Sequence, residues 1–105
     1  WIHVDQHIDA IKSILKFGIP DGRIYHIAPK TENLKTNIDL LEIITSTLGK
    51  KLENCIEFVE DRLAHDNCYW LTSKRMILET AWIDTGCFEQ DIEKTINWYK
   101  EVFSR

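Results

Sequence analysis

The segment IPDGRIYHIA, residues 19–28, decides what kind of fold this chain has. Pro20 and Gly22 are turn residues, and Ile24, Tyr25 and Ile27 behind them read as a short strand. On either side the spacing is helical. Upstream, DQHIDAIKSILKFG (5–18) places Ile8, Ile11 and Leu15 on one face, with Asp5 as N-cap and Gly18 as the stop. Downstream, TNIDLLEIITSTLG (36–49) offers Thr36 and Asp39 as a capping box. Its stripe is Ile38, Leu41 and Ile44 or Leu48, and Gly49 ends it.

Farther on, NCIEFVE (54–60) alternates Ile56, Phe58 and Glu60 against Cys55, Glu57 and Val59, as a half-buried or fully buried short strand does. Ser73 is placed to cap a short helix running through Glu79, and FEQDIEKTINWYKEVF (88–103) sets Ile92, Ile96, Tyr99 and Phe103 on one face of a terminal helix. The expected order is helix, strand, helix, strand, loop, short helix, helix. That predicts a small mixed α/β fold, with the strands around Tyr25 and Phe58 as neighbours in one small sheet.

At 105 residues the chain has room for one domain, burying roughly 60 to 70% of its unfolded surface. No apolar run approaches the ~20 residues that span a bilayer, and no signal-peptide pattern is visible, so no membrane partner is expected. The net charge of −4 argues against general nucleic-acid affinity, which needs a basic face to displace counterions. Any anion must be bound locally. Cys55, Cys68 and Cys87 are odd in number and widely spaced, which predicts a reducing, cytoplasmic context over a disulfide framework. The start at Trp1, without Met, reads as a fragment or processed piece.

The chemistry-bearing residues concentrate in DRLAHDNCYW (61–70). His65 with Cys68, or His3 with His7, has ligand spacing for zinc, but His3 falls before the expected helix start and the bland reading is surface or capped histidines. Cys68 near His65 lacks a third orienting group, so a catalytic thiol is disfavoured. Arg62 offers paired donors matched to phosphate, and His65 can add another. The competing reading is a solvated Arg62 paired with Asp61 or Asp66, and these residues alone leave the two open.

A resemblance weighs on that choice. WIHVDQHIDAI resembles the DW(I/L)YVxDHxxA segment of extended short-chain dehydrogenase/reductases, GRIYHIA their GExYNIGG strand, and TNIDLLEII their TNxEVVExI helix. FVEDRLAHDNCYWLTSKRMILETAW is similar to YVxDRPGHDxRYAIDxxKIxxELGW, the segment most typical of dTDP-glucose 4,6-dehydratases, and FEQDIEKTINWY to FEEGLxxTIxWY. The agreement runs in order along nearly all of the chain. It implies that residues 1–105 are the C-terminal nucleotide-sugar-binding domain of such a Rossmann-type enzyme, whose N-terminal Rossmann domain is absent from this chain.

By the same resemblance Arg62 and His65 hold the nucleotide diphosphate, Asn37 contacts the nucleotide, and His7 is structural or supports the site indirectly. Gln6, His26, Ala28, Pro29, Leu63 and Ala64 depart from the pattern, and a side chain in place of Gly before His65 could shift that loop. The family oxidises a sugar with tightly held NAD, eliminates water and returns the hydride, using a glycine-rich turn and a Tyr-x-x-x-Lys pair. The four glycines here cannot form that turn, and no Tyr has Lys at the required position. The resemblance thus implies a homodimeric, NAD-dependent parent binding a nucleotide diphosphate sugar. This chain alone is expected to carry no catalytic residue or metal, to bind no NAD and to be inactive. The alternatives are a free-standing binding module derived from the family, or part of a related nucleotide-sugar epimerase or decarboxylase.

Overall fold

The structure, a computed structural model, describes residues 1–104. Four helices account for its regular structure: α1 (Val4–Phe17), α2 (Asn37–Thr47), α3 (Lys74–Thr80) and α4 (Phe88–Phe103), with single 3-10 turns at Thr31–Asn33 and Leu52–Asn54. Among the described residues there is no β-ladder, so the expected mixed α/β sheet is not seen in this chain by itself. A strand is defined by a partner, and neither 23–28 nor 54–60 finds one here. The two runs also belong to different compact units.

The first unit comprises Trp1–Leu34 and Leu71–Asp91. Its core is Ala10, Met76 and Trp82, with Ile2, Ile14, Tyr25 and Ile27 packed around them. α1 meets α3 through its Ala10 and Ile14 side, where a small residue lets the backbones approach. The expected core stripe of α1 is therefore turned outward: Ile8, Ile11 and Leu15 are exposed, Leu15 by 82%. α1 is apolar on two faces, and spacing alone does not choose between them. Its N-cap is His3, whose Nδ1 accepts the Asp5 N–H at 3.1 Å, in place of the expected Asp5.

Ser73 precedes α3 as expected, but its hydroxyl makes no cap hydrogen bond. It reaches the other segment of the unit instead, accepting the Ala28 N–H at 2.8 Å and donating to the Ala28 carbonyl at 3.1 Å. Asp84 then fixes the approach to α4: its carboxylate accepts from Lys30 N (3.0 Å), Asn33 Nδ2 (3.2 Å) and Gly86 N (2.8 Å). Buried Asn33 completes the join by accepting the Phe88 N–H at 3.3 Å. A Cβ on Gly86 would lie 2.6 Å from an Asp91 carboxylate oxygen and 3.0 Å from one of Asp84, so this close approach requires glycine.

The second unit comprises Lys35–Trp70 and α4 from Ile92 on. α2 starts with the expected capping box: Asp39 N–H to Thr36 Oγ1 at 3.1 Å, and Thr36 N–H to Asp39 Oδ2 at 2.8 Å. It ends at Leu48, and Gly49 follows with φ of +66°, the left-handed residue that closes helices. Lys100 of α4 donates to the Thr47 carbonyl at 3.3 Å, a cation at the negative end of α2. Ile96 is buried, whereas Tyr99 and Phe103 stack with ring centroids 5.8 Å apart while remaining largely exposed. Phe58, Val59 and Leu63 are also exposed, by 80% or more.

Candidate functional site

The 61–70 segment leaves its preceding run as an irregular, exposed loop. Within it His65 Nδ1 lies 2.8 Å from Asp61 Oδ1, so the carboxylate four residues back orients the ring. Arg62, between them in sequence, is exposed and has no hydrogen bond or ion pair among the described residues. The surface pairing with Asp61 or Asp66 is thus not formed. Ala64 adopts φ of +57°, the conformation for which glycine is suited, and it stands where the resembling motif has Gly. The side chain is accommodated and the left-handed turn is kept.

Asn37 is the first residue of α2. Because Thr36 and Asp39 satisfy the cap between them, the Asn37 side chain is left without a partner among the described residues. The Thr36 backbone and hydroxyl hydrogen bonds hold the Asp39 carboxyl below its ordinary range. Asn37, Arg62 and His65 are carried by the same compact unit. Each is exposed and keeps polar atoms uncommitted, which is the state in which a side chain can meet a ligand.

A second polar cluster, in the first unit, escaped the sequence reading. Arg23 forks between Asp21, with Nε to Oδ1 at 2.7 Å, and Glu79, with a terminal nitrogen to Oε1 at 2.7 Å. The Tyr25 hydroxyl donates to Glu79 Oε2 at 2.6 Å and accepts the Ile19 N–H at 2.9 Å. Arg23 holds the Asp21 carboxyl down to about 2, and its own pKa is pushed up in return. Tyr25 first, then Arg23 and the positive field of Arg75, keep Glu79 below its ordinary range against a partial desolvation that would raise it. Beside this network lies an open cleft of about 550 Å³ lined by Ile24, His26, Thr72, Lys74, Arg75, Leu78 and Glu79. No sequence signal links Arg23 to Glu79. They are 56 residues apart, and only packing brings them together.

The metal alternatives find little geometry. His3 is engaged in capping, and no group of three His, Cys, Asp or Glu side chains able to hold a metal occurs among the described residues. Cys55 and Cys68 are exposed free thiols, and Cys87 Sγ lies 3.5 Å from Glu89 Oε2. Gly86, the glycine nearest a helix start, offers no pyrophosphate cradle: it faces the carboxylates of Asp84 and Asp91, which would repel one. No helix among the described residues is long and apolar enough to cross a membrane.

No protein-family profile matches the chain, but it is similar over nearly its whole length to dTDP-glucose 4,6-dehydratases. The Escherichia coli protein of that name is 29% identical over 94% of this chain. That from Neisseria gonorrhoeae is 28% identical over 100% of it, and that from Streptomyces niveus 32% over 96%. Among solved structures, the Bacillus anthracis dTDP-glucose 4,6-dehydratase, in complex with NAD, matches 99% of the chain with a TM-score of 0.82 and 33% identity. The chain spans only 29 to 32% of the length of these relatives.

Proposed function

We propose that this chain is the nucleotide-sugar-binding portion of a nucleotide-sugar 4,6-dehydratase of the dTDP-glucose type, with Arg62 and His65 on the diphosphate and Asn37 on the nucleotide. The observation that carries the reading is the uncommitted Arg62 guanidinium beside a His65 already oriented by Asp61. A planar guanidinium presents two parallel donors to phosphate oxygens. With Nδ1 engaged by Asp61, the His65 ring keeps Nε2 for a ligand. The start of α2 beside Asn37 adds main-chain donors and the positive end of a helix dipole. Oxidation of the sugar and elimination of water belong to the NAD-bearing remainder of a full-length, homodimeric parent. Residues 1–105 act as one substrate-binding portion, and their finer α/β character requires strands completed by that remainder.

Equilibrium dialysis of the purified chain against thymidine diphosphate tests the reading. Saturable binding, competed by dTDP-glucose, with no turnover and no NAD retention, is the expected result. No detectable retention of the nucleotide at millimolar concentration would remove the proposal. A derived binding module outside the enzyme would instead retain a ligand of other chemistry.

A further inference from the structure

The cleft beside the Arg23 network departs from the motifs its residues resemble, and always in one electrical sense. Where GExYNIGG has Glu and Asn, this chain has Arg23 and His26, and where YVxDRPGHDxRYAIDxxKIxxELGW has its third Asp, this chain has Thr72. One carboxylate is replaced by a guanidinium, another by a hydroxyl, and an imidazole is added. Folding gathers these positions. His26 and Thr72 line the cleft of about 550 Å³, and Arg23 holds the Glu79 carboxylate in its wall. That carboxylate is fully engaged, with Arg23 on Oε1 at 2.7 Å and the Tyr25 hydroxyl on Oε2 at 2.6 Å. The donors of the lining are not. Among the described residues the Lys74 ammonium and the His26 ring have no hydrogen bond or ion pair, and Arg75 commits one terminal nitrogen to the Ile24 carbonyl at 2.8 Å and keeps its other donors.

We propose that this cleft binds a phosphomonoester with an apolar body, the phosphate held by Lys74, Arg75, His26 and the Thr72 hydroxyl and the body laid against Ile24 and Leu78. The inference does not rest on the diphosphate assignment. All of these residues belong to the first unit, whereas Arg62, His65 and Asn37 belong to the second. Charge-assisted hydrogen bonds from an ammonium and a guanidinium suit a phosphate dianion, which can meet both cations at once where a monocarboxylate is balanced by one. Ile24 and Leu78 are 70% and 74% exposed, so an apolar body would remove exposed apolar surface from water. The volume lies within the range of small-molecule sites, about 300–1,000 Å³, and is more than a bare phosphate fills. A nucleic-acid backbone is a poorer occupant, because the chain as a whole carries a net charge of −4.

The test is titration of the isotope-labelled chain with phenyl phosphate, inorganic phosphate and phenol, read by amide NMR shifts. Phenyl phosphate should give saturable shifts at His26, Thr72, Lys74 and Arg75, with an affinity about fivefold or more above that of inorganic phosphate, and phenol should give none. Thr72→Asp restores the carboxylate of the resembling motif at an exposed position, and it should weaken phenyl phosphate about tenfold, as should Lys74→Gln. Shifts that grow without saturation overturn the proposal, as does equal affinity for phenyl phosphate and inorganic phosphate. Undiminished affinity in a folded Thr72→Asp chain overturns it too. Shifts confined to residues 61–66 would assign the phosphate to the other unit and likewise overturn it. A failed thymidine diphosphate assay leaves these shifts unaffected, so the two readings fail separately.

Discussion

The Tyr25 hydroxyl donates to Glu79 across 54 residues of sequence at 2.6 Å, and through that contact the extended run is fixed to α3. Arg23 adds the second arm by bridging Glu79 to Asp21. The order of the first unit thus depends on two carboxylates staying ionised.

Acid should loosen this unit. Both carboxyls have folded pKa values below their ordinary ones, Asp21 at about 2. A depressed carboxyl contributes stability that is present above its unfolded value, near 4, and is lost as pH falls through its folded value. Thermal melts between about pH 5 and pH 2 should show a falling midpoint, with a shallower fall in Arg23→Gln. Equal slopes for the two proteins would mean the network adds nothing to stability.

Two alanines occupy left-handed backbone, Ala64 in the loop and Ala81 at the end of α3, each with φ of +57°. Both align with glycines of the motif FVEDRLAHDNCYWLTSKRMILETAW resembles. A left-handed non-glycine residue costs about 1–2 kcal/mol, partly offset in a glycine variant by the greater freedom of its unfolded chain. Ala64→Gly and Ala81→Gly should therefore each raise the urea midpoint, by up to about 1 kcal/mol of stability. A lowered midpoint would contradict the backbone assignment.

Ser73→Ala should be costly for a residue that caps nothing. It leaves the N–H and C=O of Ala28 unpaired inside the first unit, and each lost hydrogen bond is worth about 0.5–1.5 kcal/mol. If Ser73 served only as a helix cap, helicity would fall while exchange at Ala28 stayed constant. The expected result is faster exchange at the Ala28 amide with the helical signal retained.

What the sequence made legible was local. The α2 capping box and the 88–103 span of α4 were readable because caps and helical periods lie within a few residues of each other. The strand around Tyr25 was readable as a pattern but not as a ladder, since its partner is not encoded nearby. The inward face of α1 and the use of Ser73 depended on segments more than 40 residues away. The Arg23 network was invisible for the same reason. In the loop, the i,i+4 contact of Asp61 and His65 was within local reach, while the roles of Arg62, His65 and Asn37 came from resemblance and not from spacing.

The most direct measurement is calorimetric titration of Arg62→Ala with thymidine diphosphate, in this chain and at the matching position of a full-length dehydratase, with thermal melts alongside. If Arg62 holds the diphosphate, affinity should fall by about 1.5–3 kcal/mol, the range for hydrogen bonds to charged groups, while the melting midpoint is unchanged. Unchanged affinity in a folded Arg62→Ala protein would contradict the diphosphate assignment.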